Sequence, residues 1–413
     1  MATTLRWGVL VVIAGHGLIH LVGAAKGFGL ADVSQLTRPI GFLGGILWLL
    51  AAGLVLTAAV AMGIGAPTWW WALAAAAAVV SQVAVVTSWH DARFGTLVNI
   101  VLVLAAGYSF ASEGPTSSHA DYRNRAASAL ADVGPSPSLL TKADLVDLPE
   151  PVAAYVRHSG ALGRSRVVSL RAHFHGRIRS GPDAAWMPFT GQQVNTYGRR
   201  PQRLFLMDAT RSGLPVTVLH VFAHTTATMR VKLLSLFTVV DASGPEMDRG
   251  ETVTVFNDLV LMAPGAIAHA PVSWTAIDDL HVRGDFTDGD QTVSAVLTFD
   301  AEHDLVDFAS EDRSRASANG KAFTREPWST PVTGHHVVDG RRVFTLGEGV
   351  WNAAGPGESF TYLDFQLDDV RYNERTPPGE AQATPDLPGT FDSVPLGGSD
   401  PRWRSRPPTD PRR

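Results

Sequence analysis

The sequence predicts an all-α bundle of four transmembrane helices, followed by an α+β domain dominated by a curved antiparallel sheet. Three observations predict this arrangement. Four segments within the first 112 residues contain no Asp, Glu, Lys or Arg. From residue 165 onward, apolar residues recur with a period of two, which is typical of half-buried strands. Between and after these parts, the chain is rich in residues that favour loops.

Composition narrows the class of protein. The 413 residues are 45% hydrophobic and only 18% charged, and their length suggests two or three domains. The net charge of −5 provides no basic domain, so we expect no nucleic-acid partner. The absence of cysteine excludes disulfides, iron–sulfur clusters and cysteine zinc sites.

Each of the four uncharged segments approaches or exceeds the roughly 20 apolar residues that a helix needs to cross a bilayer. The segments are 7–25, 40–64, 69–89 and 96–112. The tryptophans expected at membrane interfaces are Trp69, Trp70, Trp71 and Trp89. The glycines expected to allow close helix contact are Gly23, Gly27, Gly41 and Gly45. We therefore predict a transmembrane domain over 1–112, in a multi-pass protein of the cell (plasma or inner) membrane.

The orientation in that membrane stays open, because the positive charges balance. One side would carry Lys26, Arg38 and Arg93, and the other Arg6, Arg123 and Arg125. The side on which the soluble domain lies is therefore not predicted.

After the bundle we predict a linker over 113–147 with a short helix at 121–133, and a sheet domain over 148–374. A helix at 148–162 begins that domain. Alternating runs such as VVSLRAHFHGRIR, PVTVLHVFAH and SFTYLDFQLDDVRYN predict its strands. A helix over 247–265 begins near Asp248, with Glu251 three residues later. The last 39 residues contain nine prolines, and we predict a disordered Pro-rich tail over 375–413.

The carboxy-terminal half resembles a family of uncharacterised bacterial proteins, a domain of unknown function. The segments that carry this resemblance include RGETVTVFNDLVLMAPGAI, TVSAVLTFDAEHDLVDFASEDR and WSTPVTGHHVVDGRRVFTLGEGVW. The resemblance implies no activity, substrate or catalytic residue. GHGLIHLVGAAKG and WHDARFGT in the amino-terminal half resemble small DoxX-like membrane proteins. The predicted curved sheet with a helix against it is similar to lipoprotein-carrier half barrels, which is an analogy of fold alone.

Polar residues in the apolar segments form the first candidate site. His16 and His20 are four residues apart and share a helix face. The predicted cluster near one membrane surface comprises His16, His20, Gln82, His90, Asp91, Arg93 and Asn99. Hydrogen bonds between helices are the favoured role, with proton or ligand binding, or a metal or haem, as alternatives. HGLIH lacks the glutamate of a zinc-protease helix, and no metal site is assigned.

Two further groups lie in the predicted sheet domain. His173, His175, Arg177 and Arg179 alternate along one strand face, where they could contact lipid headgroups or another anion. A solvated outer face is the favoured interpretation. Glu251 and Asp258 are seven residues apart on the predicted helix, so they share a face, and a solvent-facing charged stripe is favoured over acid–base chemistry.

Three hypotheses for function follow. The first, which we favour, is a membrane-anchored protein that holds a lipid or another hydrophobic small molecule in its sheet domain. The second is a membrane redox or proton-handling protein that uses the histidine cluster. The third is an envelope scaffold or interaction protein. No motif for catalysis is present, which does not exclude an enzyme, although the binding role that we favour is not an enzymatic one. The sequence predicts neither a cofactor nor an oligomeric state.

Overall fold

The computed structural model describes residues 3–134, 138–198, 200–317, 322–352 and 359–374. The predicted Pro-rich tail, 375–413, lies outside these residues. Two 3₁₀ helices, Lys142–Leu145 and Pro264–His269, accompany eight α-helices in the described part of the chain. The α-helices are α1 Thr3–Gly27, α2 Phe42–Gly63, α3 Trp70–Thr87, α4 Trp89–Ala92, α5 Gly95–Glu113, α6 Ser118–Ala131, α7 Glu150–His158 and α8 Pro245–Met262.

Four helical segments are long and apolar enough to cross a membrane, as judged by their length and composition. They are Arg6–Gly27, Phe42–Gly63, Trp70–Thr87 and Gly95–Ala131. The predicted close contact between α1 and α2 is confirmed at three glycines. A Cβ on Gly23 would lie 2.2 Å from the Trp48 ring, and one on Gly27 would lie 2.4 Å from the Cα of Gly45. Gly41 has no atom within 4 Å of such a Cβ, so the expectation for that residue is wrong.

The tryptophans at the two ends of α3 do not all face outward. Trp69 and Trp89 are exposed, which suits an interface. Trp70 is only 1% exposed, and its indole Nε1 donates a 2.8 Å hydrogen bond to the carbonyl oxygen of Ala58. The expected interfacial position of Trp70 is therefore wrong, because the indole packs inside the bundle and satisfies its N–H there.

The sheet domain contains sixteen strands among the described residues. They are β1 Ser169–Ile178, β2 Met187–Thr196, β3 Gln202–Arg211, β4 Leu214–Ala223, β5 Thr226–Leu233, β6 Phe237–Ser243, β7 Val272–Ala276, β8 His281–Asp288, β9 Gln291–Phe299, β10 Leu305–Ser310, β11 Ser314–Ala316, β12 Phe323–Arg325, β13 Trp328–Ser329, β14 Val332–Val338, β15 Arg341–Trp351 and β16 Phe360–Tyr372. Fourteen of them form one sheet in the order β6-β5-β4-β3-β2-β1-β16-β15-β13-β10-β9-β8-β7, with β14 paired to β15. β11 and β12 form a separate hairpin, and the ladders described are antiparallel, as predicted.

The large sheet curves around α8, since this one helix contacts strands far apart in the sheet order. Arg203 of β3 hydrogen-bonds to Asp258 of α8 at 2.7 Å. The Phe256 ring, also on α8, stacks on Phe286 of β8 at a centroid distance of 5.4 Å. A flat sheet would hold β3 and β8 many strands apart, at about 4.8 Å per strand. The concave face therefore wraps the helix.

α6 joins the bundle to the convex face of the sheet. It follows α5 after a short turn, and the Ser117 side chain accepts a hydrogen bond from the Ala120 amide at its start. Its apolar face packs on β2, β3 and β4, where Tyr122 and Leu130 belong to the same cluster as Leu206. The short helix predicted at 121–133 is thus observed, and it covers the outside of the curved sheet.

Candidate functional site

A cavity of about 370 Å³ lies between α8 and the concave face of the sheet. The strand alternation explains its apolar wall, because Phe174 points inward from β1 while His173 and His175 point outward. Gly347 leaves room for this lining, since a Cβ there would lie 2.5 Å from the Phe365 ring. Large apolar side chains in the wall include Phe174, Phe189, Phe205, Phe344, Trp351 and Phe365.

The two ends of the cavity differ in polarity and in exposure. Ser180 and Ser317 line one end and are exposed, with the half-buried Phe360 beside them, so this end is the mouth. The other end is formed by buried polar side chains of β2, β3 and α8. The residues of this inner polar cluster are Gln193, Arg203, Glu251 and Asp258.

Arg203 is the centre of the inner polar cluster. Its Nε donates to Asp258 Oδ2 at 2.7 Å, and its Nη1 donates to Glu251 Oε2 at 3.0 Å. Its Nη2 donates to Gln193 Oε1 at 3.3 Å. Asp258 Oδ2 also accepts hydrogen bonds from Gln193 Nε2 at 2.7 Å and from Asn195 Nδ2 at 3.0 Å. The cation and both carboxylates are therefore fixed by one another and by neighbouring amides.

The electrostatics of the cluster follow from this pairing. Burial opposes ionisation of Glu251, but Arg203 and His220 outweigh it and hold the pKa of that carboxyl well below its usual range. Burial also opposes the charge on Arg203, whereas Asp258 and Glu251 raise the pKa of the guanidinium. Breaking either pair would leave an uncompensated buried charge, which is far more costly than losing an exposed pair.

Other polar groups beside the cavity have hydrogen-bonding capacity to spare. Asn257 is 5% exposed and Thr330 is 2% exposed, and both line the wall. Asn257 Oδ1 and Thr330 Oγ1 have no hydrogen-bond partner among the described residues. His220 Nδ1 lies 3.4 Å from Glu251 Oε1, close enough for attraction but without hydrogen-bond geometry. A buried polar atom without a partner is costly unless a water or a ligand satisfies it.

The inner polar cluster corrects the interpretation of Glu251 and Asp258 as a solvent-facing stripe, which is wrong. The two carboxylates do share a helix face, but they are only 3% and 6% exposed. The reason is that α8 is buried on all sides, so its polar face meets β3 and the cavity rather than water. The helix also begins at Pro245, earlier than expected, and the Asp248 carboxylate accepts a hydrogen bond from the Ala227 amide of β5. Arg203, the partner that makes this possible, carried no signal in the sequence.

Three of the four basic residues predicted on this strand, His173, His175 and Arg177, lie on the outer face of β1. His173 is exposed. His175 Nδ1 contacts Asp368 Oδ1 at 2.6 Å, and Arg177 Nε donates to Asp364 Oδ2 at 2.8 Å, so β16 supplies carboxylates to both. Arg179 differs: it lines the cavity mouth, and its Nε donates to the carbonyl oxygen of Thr361 at 2.8 Å. Contact of this face with an anion or a headgroup stays a prediction.

The bundle brings four of its seven predicted polar residues together: His16, His20, Gln82 and Asn99. His16 Nε2 lies 3.2 Å from Asn99 Oδ1, and Asn99 Nδ2 donates to Gln82 Oε1 at 2.8 Å. Ser81, which the sequence reasoning missed, links the group, since its Oγ lies 2.9 Å from His16 Nε2 and 2.7 Å from His20 Nε2. Gly95 makes space, because a Cβ there would lie 3.0 Å from His16 Cε1.

The other three residues lie between α3 and α5, His90 and Asp91 in the short helix α4 and Arg93 directly after it. His90 Nδ1 contacts Asp91 Oδ1 at 3.1 Å, and Asp91 Oδ2 accepts a 2.7 Å hydrogen bond from the Thr37 amide. The Arg93 guanidinium lies over the Phe94 ring. None of the contacts described for His90, Asp91 or Arg93 reaches His16 or His20. Across the described ranges, no group of three or more His, Cys, Asp or Glu side chains is arranged to hold a metal ion.

Comparison with known proteins identifies a family for the carboxy-terminal part. The model of a family described as "Family of unknown function (DUF6544)" matches residues 138–365, more than half of the chain. It covers none of the four apolar segments, so the resemblance to DoxX-like proteins stays a prediction. No curated protein sequence matches the chain.

Three solved structures share only a distant likeness with the chain. A putative outer membrane lipoprotein-sorting protein domain from Vibrio parahaemolyticus is 12% identical, with a TM-score of 0.31 over 49% of this chain and 85% of that one. A DUF1329 family protein from Desulfovibrio piger is 12% identical, with a TM-score of 0.31 over 55% and 93%. A LolA superfamily protein from Nitrosomonas europaea is 12% identical, with a TM-score of 0.28 over 54% and 93%. At such low scores the likeness says nothing about ligands.

Proposed function

The chain belongs to this family of unknown function, and we propose that it is a membrane-anchored protein that holds a hydrophobic ligand in the cavity of its sheet domain. The observation that carries the proposal is the cavity itself. Its volume of about 370 Å³ falls within the range of roughly 300–1,000 Å³ that is typical of small-molecule sites.

The wall of the cavity suits an apolar ligand. Aromatic rings from β1, β2, β3, β15 and β16 face its interior, where they would lose contact with water when a ligand binds. Burial of apolar surface yields roughly 25 cal/mol per Å². A lipid chain or another apolar small molecule is therefore the occupant that this lining favours.

The four apolar helices supply the anchor in this proposal. They would cross the cell (plasma or inner) membrane, and α6 would hold the sheet domain beside it through contacts at both of its faces. His119 Nε2 at the start of α6 lies 2.9 Å from Asp208 Oδ2 of β3, and Arg123 Nη1 donates to Glu113 Oε2 at the end of α5. A lipid could then exchange between the bilayer and the cavity over a short distance.

A matched pair of substitutions on β6 tests the proposal. Val240 lines the cavity, whereas its neighbour Val239 is exposed on the opposite face. The full chain in nanodiscs would be titrated with the fluorescent apolar probe N-phenyl-1-naphthylamine, and the signal of empty nanodiscs would be subtracted. Val240→Trp should abolish saturable binding, while Val239→Trp should leave it unchanged. Equal binding by both variants would contradict the proposal.

A further inference from the structure

The chemistry of the inner polar cluster points to the class of ligand. We propose that the cavity binds an uncharged amphiphile, with a hydroxyl or amide head at the inner polar cluster and its apolar chain directed toward the mouth. This inference rests on the proposed function and adds two properties to it, the charge of the head and the direction of the ligand.

The direction follows from where polar groups would be left without partners. An apolar chain end placed against Glu251 and Asp258 would surround a buried cluster of charges with apolar groups and offer it no hydrogen bond. A polar head placed there offers the cluster hydrogen bonds and leaves the chain among the aromatic rings of the wall. Asn257 Oδ1 and Thr330 Oγ1, both without partners and both in residues lining the cavity, provide further capacity for a head that donates and accepts hydrogen bonds.

The charge of the head follows from a balance of four side chains around the inner end. Arg203 and Arg313 contribute two positive charges, and Glu251 and Asp258 contribute two negative charges. Arg203 already donates to Asp258, Glu251 and Gln193. Arg313 Nη2 lies 3.9 Å from Glu251 Oε1, and its guanidinium lies over the Trp328 ring at 4.3 Å.

A carboxylate or phosphate head at the inner end could accept hydrogen bonds from Arg313 alone, and the charge of Arg313 is already opposed by Glu251 at 3.9 Å. An ammonium head would meet carboxylates that are already paired. Either ion would add a charge that nothing opposes in a buried site, which is costly. An uncharged head avoids that cost.

The mouth differs in this respect, and that difference makes the direction testable. The Arg315 guanidinium there is bound to Glu326 through Nε at 2.8 Å and Nη2 at 2.9 Å. Arg179 instead donates to backbone carbonyl oxygens of Thr361 and Pro182, and in the described part of the chain no carboxylate pairs with its charge. An anionic head would therefore bind at the mouth, with its chain toward the inner polar cluster, and substitutions at the inner end would not alter its affinity through charge.

The experiment uses three ligands of one chain length and different head charge. Dodecan-1-ol, dodecanoate and dodecylammonium would displace N-phenyl-1-naphthylamine from the full chain in phosphatidylcholine nanodiscs at pH 8, after subtraction of their partition into empty nanodiscs. We expect dodecan-1-ol to bind at least about tenfold more tightly than either ion. A unit charge about 10 Å away at an effective dielectric constant of 20 changes an equilibrium constant by roughly that factor.

Two substitutions should switch the preference in opposite directions. Asp258→Asn leaves the inner end with one excess positive charge and should increase the affinity for dodecanoate, relative to that for dodecan-1-ol, by about tenfold. Arg313→Gln leaves one excess negative charge and should strengthen dodecylammonium by a similar factor. Arg283→Gln is the matched control, because Arg283 pairs with Asp285 on the exposed face of β8, outside the cavity. If Asp258→Asn fails to fold, the Arg313→Gln arm still decides the question.

The outcomes separate this inference from the proposed function. If all three ligands bind saturably with equal affinity, or if neither substitution changes the ratios of their affinities, the preference for an uncharged head is overturned. The cavity would then still be a hydrophobic binding site. Tighter dodecanoate binding that Asp258→Asn does not change would show an anionic head at the mouth, and would also overturn the inference. If none of the three ligands displaces the probe, and Val240→Trp does not reduce probe binding, the proposed function is contradicted as well.

Discussion

Arg203→Met removes the guanidinium that binds the two buried carboxylates of α8, Glu251 and Asp258, and keeps most of the apolar stem. The Arg203 side chain is 10% exposed, and those of Glu251 and Asp258 are 4% and 9% exposed. Breaking a buried ion pair costs about 3–5 kcal/mol, because the remaining charge stays unpaired. At 1.36 kcal/mol for each factor of ten, the opening equilibrium of α8 should rise by about 10² to 10⁴.

Hydrogen–deuterium exchange of the full chain, read on peptides from α8, measures that opening locally. Arg177→Met is the matched control, since Arg177 also donates to a carboxylate, Asp364, but the two side chains are 55% and 39% exposed. Such an exposed pair contributes about 0–1 kcal/mol, so the control should change exchange by less than about tenfold.

A combined variant shows whether unpaired charge is the cause. Adding Glu251→Gln and Asp258→Asn to Arg203→Met removes the carboxylates that lost their partner, and should recover a large part of the protection. If α8 exchanges as slowly in the Arg203→Met variant as in the Arg177→Met control, the charges of the inner polar cluster are not coupled as described, and the reasoning fails.

Three further outcomes are expected. Burial raises the pKa of Asp307 to about 6, so the folded chain binds more protons than the unfolded chain between about pH 4 and 6, and its stability falls as the pH rises through that window. Asp307→Asn should therefore raise the free energy of unfolding by up to about 3 kcal/mol at pH 7.5 in chemical unfolding, and this gain should vanish by pH 4. Gly27→Val should cost about 1–3 kcal/mol in thermal unfolding, because its Cβ would meet Gly45, whereas Gly53→Val, with open space around it, should be tolerated. Ser81→Ala removes the hydroxyl shared by the histidine pair of α1 and should cost about 0.5–1.5 kcal/mol in the same assay; an unchanged stability would contradict a stabilising role for this hydroxyl.

The sheet could be predicted because each strand carries its own signal. Alternation along β1 places Phe174 inside and His175 outside, and this pattern depends on neighbouring residues alone. The apolar helices could be predicted for a similar reason, since about 20 uncharged residues in a row have few other structures open to them. Packing of Gly27 on Gly45 followed from small residues spaced along one helix face.

The inner polar cluster could not be predicted, because it depends on residues distant in the sequence. Glu251 and Asp258 look like an exposed face when the helix is considered alone, since charged residues usually face water. The curvature of the sheet buries that face, and Arg203, some 50 residues earlier in the chain, stabilises the two buried carboxylates by donating hydrogen bonds to both. Trp70 and Ser81 illustrate the same limit in the bundle, where the partner on another helix decides which way a side chain points.

The mass of the ligand that remains bound to the protein tests the central claim most directly. Native mass spectrometry of the full chain, released from membranes without added lipid, should show a bound uncharged amphiphile at one copy per chain. The Val240→Trp variant should lack that mass, and Val239→Trp should retain it. A chain whose mass shows no bound molecule, or a bound molecule that Val240→Trp retains equally well, would contradict the assignment of the cavity as a ligand site.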